Sequence, residues 1–331
     1  MSFKRALLEN VGEWKAMMAK ILITGANGFV GSALGAAFEQ HGDEVVRAVR
    51  VVTQANQTAV GDIHASTNWN AVLSDVSVVV HLAARVHVMH DNAEDPLAQF
   101  RAVNRDATLA LARQAAAAGV RRFIFLSSIG VNGSQTTTAP FDESSQPAPH
   151  SAYAVSKLEA ECQLLELCAR TSMELVILRP PLVYGCAAPG NFASLLKLVS
   201  LALPLPLARA RNRRSMISIE NLVEIIIACA ESAAAANQLF LVSDGDDVST
   251  PQLVQALAKG MGRSAKLWAL PMWTVALCAK VTGRSAAYQQ LCGSLQIDSS
   301  KARNLLKWAS ALPAAAALER VGKEFLRRNN K

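Results

Sequence analysis

Lys20-Ile-Leu-Ile-Thr24-Gly25-Ala-Asn27-Gly28-Phe29-Val30-Gly31 is the stretch that decides the fold. The apolar run reads as a short buried strand, the three glycines as a tight turn, and Ser32 to His41, closed by Gly42, as a helix. A strand that turns through glycines into a helix brings unpaired amide N–H groups and the positive end of the helix dipole to one point, where an anion is stabilised. The spacing is G-x-x-G-x-x-G rather than the commoner G-x-G-x-x-G. In this strand-to-helix setting it predicts a dinucleotide diphosphate on the turn, with a purely structural turn as the alternative.

Working outward, Glu44 to Val49 reads as the second strand. An NAD enzyme places a carboxylate at the end of that strand for the ribose 2′-hydroxyl; here the chain has Arg47-Ala-Val-Arg50. Two guanidiniums and no carboxylate lean toward a 2′-phosphate and hence NADP(H), although a solvated surface arginine explains Arg50 as well. Asp62, after a third apolar segment, could accept from an adenine amino group. Val78 to Ala84 is a buried-strand run ending in small residues, and its His81 reads as a core histidine rather than a catalyst. Asn104 to Gly119 is an Ala-rich helix, and Arg122 to Ser128 a strand that ends in two hydroxyls. This alternation predicts an α/β fold with a doubly wound parallel sheet and ligands at the carboxyl ends of its strands.

Ser151-Ala-Tyr153-Ala-Val-Ser-Lys157 opens a helix-compatible run. Positions i and i+4 share a helix face, so a phenol and an ammonium lie together. A nearby cation favours phenolate and is expected to move the phenol down from about 10, which makes Tyr153 the candidate general acid/base. A surface pair of no catalytic consequence is the competing reading.

The 331 residues are 51% hydrophobic, enough for one large or two modest domains with a real core. A net charge of +7 from only 18% charged residues points to local basic clusters. The six cysteines show no C-x-x-C pair and no histidine at ligand spacing, so neither a metal site nor a disulfide framework is expected. Inert thiols in a reducing cytoplasm are the default. Residues 1–16 lack the apolar core and cleavage site of a secretory signal, and Met17-Met18 allows an internal start. Leu195 to Ala208 and Trp268 to Val281 fall short of the roughly 20 apolar residues of a membrane span. Both read as packed or ligand-lining segments, so no membrane insertion is expected.

Gly25-x-x-Gly28-x-x-Gly31, His81-Leu-Ala-Ala84, Ser127-Ser128, Tyr153-x-x-x-Lys157 and Arg179-Pro-Pro-Leu-Val-Tyr184-Gly185 together resemble the extended short-chain dehydrogenase/reductases, the nucleotide-sugar epimerase/dehydratase family. The resemblance runs from residue 20 to about residue 310. It implies a Rossmann-like sheet with a smaller α/β C-terminal substrate lobe. It implies NAD(P) held by Gly25, Asn27, Gly28, Phe29, Val30 and Gly31 on the turn. Arg50, Asp62, Ile63, Leu82, Ala83, Ala84, Asn104, Ser127 and Pro180 complete that set, with Tyr153 and Lys157. Catalysis would fall to Ser128, Tyr153 and Lys157, with Lys157 on the nicotinamide ribose.

Dehydratases of this family follow the serine with two acids; this chain has Ser128-Ile129-Gly130, so elimination of water is not expected. What remains is redox at one sugar carbon. Asn191 and the run Arg209-x-Arg211-x-Arg213-Arg214-Ser215 occupy positions where the family binds its substrate's diphosphate, with Asn191, Arg214 and Ser128 as the substrate contacts. A basic patch for nucleic acid is disfavoured because no aromatics interleave. Asn191-Phe, Leu203-Pro-Leu-Pro-Leu, Arg213-Arg-Ser, Leu241-Val-Ser-Asp-Gly245 and Cys292-Gly-Ser-Leu-Gln-Ile-Asp298 look like the bacterial reductases of UDP-4-keto-6-deoxy-N-acetylhexosamines used for O-antigen. A UDP-hexose 4-epimerase with tightly bound NAD is the alternative. The expected organisation is an extension at 1–19, a dinucleotide domain at 20–185 and 216–244, and a nucleotide-sugar lobe at 186–215 and 245–331. A cytoplasmic homodimer acting on a UDP-sugar completes the expectation.

Overall fold

The structure is a computed structural model and describes residues 19–86, 95–283, 285–310 and 312–329. The extension expected at 1–19 therefore lies, up to residue 18, outside the described residues.

Seven strands build the main sheet: β1 (Lys20–Thr24), β2 (Glu44–Val49), β3 (Gln57–Ala59), β4 (Val78–His81), β5 (Arg122–Leu126), β6 (Glu174–Arg179) and β9 (Gln238–Leu241), in the order β3-β2-β1-β4-β5-β6-β9. The remaining two, β7 (Leu182–Tyr184) and β8 (Met216–Ser218), form a small parallel pair. β1 pairs with β2 on one side and β4 on the other, with Thr24 opposite Ala48 and His81. The strand order reverses between β1 and β4, so their carboxyl ends open a crevice there. The doubly wound parallel sheet expected from the sequence is the observed architecture. Its strands are Val/Ile/Leu-rich because both faces are covered: Ile21, Leu22, Ile23, Val78, Val79 and Val80 are all buried.

The crevice is closed at its base by one buried hydroxyl. Thr24 Oγ1 accepts from the backbone N–H groups of Leu82 and Ala83 at 3.2 Å each and lies 2.8 Å from His81 Nδ1. Having accepted two hydrogens, the hydroxyl donates its own to Nδ1. His81 Nε2 then carries the proton and donates to Thr108 Oγ1 at 2.8 Å. The ring also stacks on Phe125 with centroids 6.0 Å apart. His81 is thus a satisfied core histidine, as its sequence context suggested.

Two compact units divide the chain. One comprises the residues up to Leu126 with Glu159–Ile177 and Ile226–Gln238; the other comprises Ser127–Leu158, Leu178–Ile225 and Leu239 onward. In the first unit a charged group is fully buried at the amino end of β5. Arg122 donates to the carbonyls of Cys229 and Ser232 at 2.5 and 2.8 Å and to Glu174 at 2.7 Å. It satisfies the carbonyls left over where the helix Ile219–Glu231 ends.

The reading of Asn104 to Gly119 as one regular helix is corrected. Asp95 caps a helix at Pro96–Arg101, which passes through a π-turn at Ala102–Ala107 before resuming at Thr108–Ala117. The wider π-turn lets Asn104 reach inward: its carbonyl oxygen accepts from Arg85 N at 2.8 Å and its amide donates to Arg85 O at 3.1 Å. Of the two apolar stretches read as packed or ligand-lining, the first is packed through Leu195, Leu196, Val199, Leu205 and Leu207, whereas the helix Met272–Val281 of the second contains no fully buried residue.

Thr24→Val is expected to lower stability by about 1–3 kcal/mol, since it leaves two half-buried amides and the buried His81 ring without their partner. Thr24→Ser should recover most of the loss in urea unfolding.

Candidate functional site

In the first unit the glycine turn has the shape a diphosphate needs. Gly25 has φ +66°, and a Cβ there would lie 3.0 Å from Ala83 N, so only glycine lets β1 turn against the end of β4. Gly31 is buried in the first turn of the helix Phe29–His41, where a Cβ would meet Gly25 O at 2.2 Å. The turn is closed by Gly28 N donating to Gly25 O at 2.9 Å. No side chain caps this helix and no acid stands in its first turn. Asn27 and Gly28 are exposed, and Phe29 and Val30 half-buried. Its amides thus present a positive end to an anionic ligand.

At the end of β2 the two arginines separate into different roles. Arg47 is buried, with its Nε donating to Glu39 Oε1 at 3.0 Å and its guanidinium lying flat where a side chain on Gly35 would be. The hydrogen bonds from Arg47 hold the Glu39 carboxyl below its usual range. This corrects the expectation of two available guanidiniums: Arg47 is committed to the fold. Arg50 remains at the rim, in an exposed ion pair with Asp62 at 2.7 Å. An exposed pair of this kind is worth at most about 1 kcal/mol and opens readily. Ile63 beside it is half-buried, as are Leu82, Ala83 and Ala84 at the end of β4. Asn104 holds the loop after them in place through Arg85.

The second unit gathers the three candidate catalytic groups. Ser127 N donates to Leu178 O at 2.7 Å and Ile129 N to Pro180 O at 2.9 Å, which fixes Ser128 in a turn between two anchored neighbours. The Ser128 hydroxyl accepts from Gly130 N at 3.1 Å. Ser151 Oγ accepts from Ala154 N at 3.1 Å and so starts the helix Ala152–Cys168. A Cβ on Gly130 would lie 3.4 Å from Ser128 Oγ and 3.5 Å from the Cβ of Ala154. The serine turn and the first turn of the helix therefore lie side by side across this position. Tyr153 is half-buried, and Lys157, one turn on, is 2% exposed.

The expected lowering of the Tyr153 pKa is corrected. Burial pushes the phenol up to about 12, because the desolvation that penalises phenolate outweighs the attraction expected from the ammonium one turn away. The side chain is accordingly a neutral acid over the working pH range.

Asn191 and Arg214, the expected substrate contacts, lie in the same unit, and each side chain also bonds within the protein. Asn191 starts the helix Asn191–Ser200 and donates from its side chain to Gln290. Arg214 donates from Nη1 to the Gly293 carbonyl at 2.9 Å, while its backbone exchanges hydrogen bonds with Val248 at 3.0 Å. Arg209, Arg211 and Arg213 are the exposed members of the basic run. Asn212, buried between them, accepts from Thr250 N at 3.0 Å and donates to Leu291 O at 3.1 Å.

Two further networks were not singled out from the sequence. Arg179 Nη1 donates to Asn132 Oδ1 at 3.0 Å, both buried. Tyr184 OH donates to Asp244 Oδ2 at 2.7 Å, while Asn221 Nδ2 donates to Asp244 Oδ1 at 2.7 Å. Burial raises the pKa of Asp244, and burial beside that carboxylate raises Tyr184. The advance signals were that Arg179 and Tyr184 share one short motif and that Asp244 falls in the run Leu241-Val-Ser-Asp-Gly245. Among the described residues no group of three acids, histidines or cysteines could hold a metal ion.

Residues 21–242 match the family model described as the NAD dependent epimerase/dehydratase family. A UDP-glucose 4-epimerase from Vibrio cholerae is 42% identical over 323 residues, covering 96% of this chain and 98% of that protein. Among solved structures, a UDP-N-acetylglucosamine 4-epimerase from Bacillus cereus superposes with a TM-score of 0.77 at 19% identity, covering 93% of this chain and 99% of the other. A UDP-glucuronic acid 4-epimerase from Bacillus cereus, in complex with NAD, superposes with a TM-score of 0.76 at 22% identity, covering 94% and 100%.

Ultraviolet difference titration of the wild type against Tyr153→Phe is expected to isolate one phenol with its midpoint at about 12. A midpoint below the ordinary value of about 10 would mean that the Lys157 charge prevails over burial.

Proposed function

The chain belongs to the NAD dependent epimerase/dehydratase family, and from that premise we propose that it reduces the C4 ketone of a UDP-linked 4-keto-6-deoxy-N-acetylhexosamine. The observation that carries this reading is the corner shared by Ser128 and the first turn of the Tyr153 helix, with the phenol held neutral and no carboxylate at positions 129 and 130. A neutral phenol at neutral pH begins as a proton donor, which a ketone reduction consumes at once. Without acids after Ser128, nothing there could serve the elimination step of a dehydratase.

The glycine turn, with its uncapped helix start, fits the diphosphate of NAD(P)(H), which supplies hydride when bound. Ser128 polarises the ketone through its hydroxyl, and Tyr153 gives its proton to the oxygen as negative charge develops there. Lys157 favours the phenolate left behind and so lowers the proton affinity of Tyr153 further below that of the developing alkoxide, which makes the transfer downhill. Arg50, paired only with an exposed Asp62, is the residue that would meet a 2′-phosphate; it supports NADP(H), though less strongly than two free arginines would. Arg209, Arg211 and Arg213 suit the diphosphate of the UDP-sugar by charge and fork geometry. A homodimer belongs to the same proposal.

The second reading is a UDP-glucose-type 4-epimerase, favoured by the 42% identity to the Vibrio cholerae protein. It uses the same three residues, but Tyr153 must first act as a base, and the dinucleotide is regenerated in each turnover.

Incubating the protein with UDP-4-keto-6-deoxy-N-acetylglucosamine and NADPH or NADH separates the two. Stoichiometric loss of reduced dinucleotide, with a new C4 hydroxyl seen by NMR, is the expected result, and Tyr153→Phe should slow it by roughly 10²–10⁴-fold. Interconversion of UDP-glucose and UDP-galactose without net consumption would assign the epimerase instead.

A further inference from the structure

One edge of the second unit carries apolar side chains that the fold does not cover. Leu205 N donates to Lys266 O and Trp268 N to Leu205 O, each at 2.8 Å, so the segments around 201–208 and 266–270 run side by side. The Arg263 guanidinium joins them again through the Ser200 carbonyl. Leu201 and Leu203 thus share an edge with Trp268 and Leu270, and the helix Met272–Val281 continues from it. Trp268 is 60% exposed, Trp273 69% and Val281 80%.

Met-Trp-Thr-Val-Ala-Leu-Cys-Ala-Lys-Val is apolar on nearly every side. Such a helix is ordinarily buried in a core or lies against lipid, and here none of it is buried. At ten residues it is too short to span, and no helix of the described residues is long and apolar enough to cross a membrane.

The charge around it is one-sided. The segments that build this edge, 197–208 and 263–281, contain no Asp or Glu, against four basic residues, Lys197, Arg263, Lys266 and Lys280. Lys197, Lys266 and Lys280 are exposed. Tryptophan suits the boundary between headgroups and acyl chains, and lysine can lay its stem on apolar surface while its ammonium meets phosphate. A symmetric contact with a second copy would set this acid-free surface against itself, where like charges oppose association.

We propose that this edge is a peripheral docking surface for an anionic phospholipid bilayer. Trp268, Leu270 and Trp273 enter the headgroup boundary, and Lys197, Lys266 and Lys280 engage lipid phosphates.

The test is co-sedimentation of the full chain with vesicles of phosphatidylcholine alone and of phosphatidylcholine mixed with phosphatidylglycerol, with tryptophan emission and its quenching by brominated acyl chains read in parallel. Partition into the mixed vesicles, weakened by salt and accompanied by quenching, is expected. Lys266→Glu/Lys280→Glu should reduce it by roughly tenfold or more and Trp273→Ser by about fivefold, with unchanged thermal unfolding. Three results would overturn the proposal: no partition into the mixed vesicles, equal partition of the wild type and both variants, or a dimer in size-exclusion chromatography that Trp273→Ser converts to monomer.

Discussion

The close approach of the end of β4 to the end of β1 is the constraint on which the rest of the first unit depends. Thr24 must offer one hydroxyl to two amides and one imidazole, and Gly25 must turn away with a positive φ before its neighbour Ala83 is reached. A larger residue at 25 would part the strands, and an apolar one at 24 would take the partner from the buried His81 ring and from two half-buried amides. With both in place, the backbone at Gly25 closes against Leu82 and Ala83 where the strand order reverses. His81, bonded between two threonines, extends the same network to Thr108 in the helix beyond. A residue type known for catalysis is here a structural strut.

Burial divides similar side chains into different occupations throughout the molecule. Arg47 and Arg50 stand three positions apart on one strand end, yet one is enclosed with Glu39 and the other is held only by an exposed carboxylate. Arg122 is wholly buried because a helix terminus supplies carbonyls and Glu174 supplies the counter-charge; without them the desolvation of a guanidinium would be prohibitive. Tyr153 and Tyr184 are both neutral, but Tyr184 spends its proton on Asp244, whereas Tyr153 sits beside the Ser128 turn. Desolvation sets the first-order behaviour of each group, and specific partners adjust it.

The two units share a logic of short polar anchors beside their candidate sites. In the first, Asn104 stitches the loop after Ala84 by bonding both backbone groups of Arg85, and a π-turn gives it the reach. In the second, Asn212 ties together three segments separated by dozens of residues. Asn191 and Arg214 likewise bond within the same unit, and Arg209, Arg211 and Arg213 stay exposed beside them.

The sequence by itself determined the parallel sheet, the glycine turn and the core role of His81, because each rests on local pattern: apolar runs of strand length, a positive-φ requirement met by glycine, and alternation of strand with helix. It also determined that Tyr153 and Lys157 share a helix face, since 3.6 residues per turn dictates that without tertiary help. Only the tertiary structure decided what each polar group meets. Whether Arg47 is buried, whether the phenol of Tyr153 rises or falls, and whether the apolar helix Met272–Val281 is covered all depend on residues far away in the chain. Desolvation and partner geometry are properties of the folded neighbourhood, and no spacing rule along the chain encodes them.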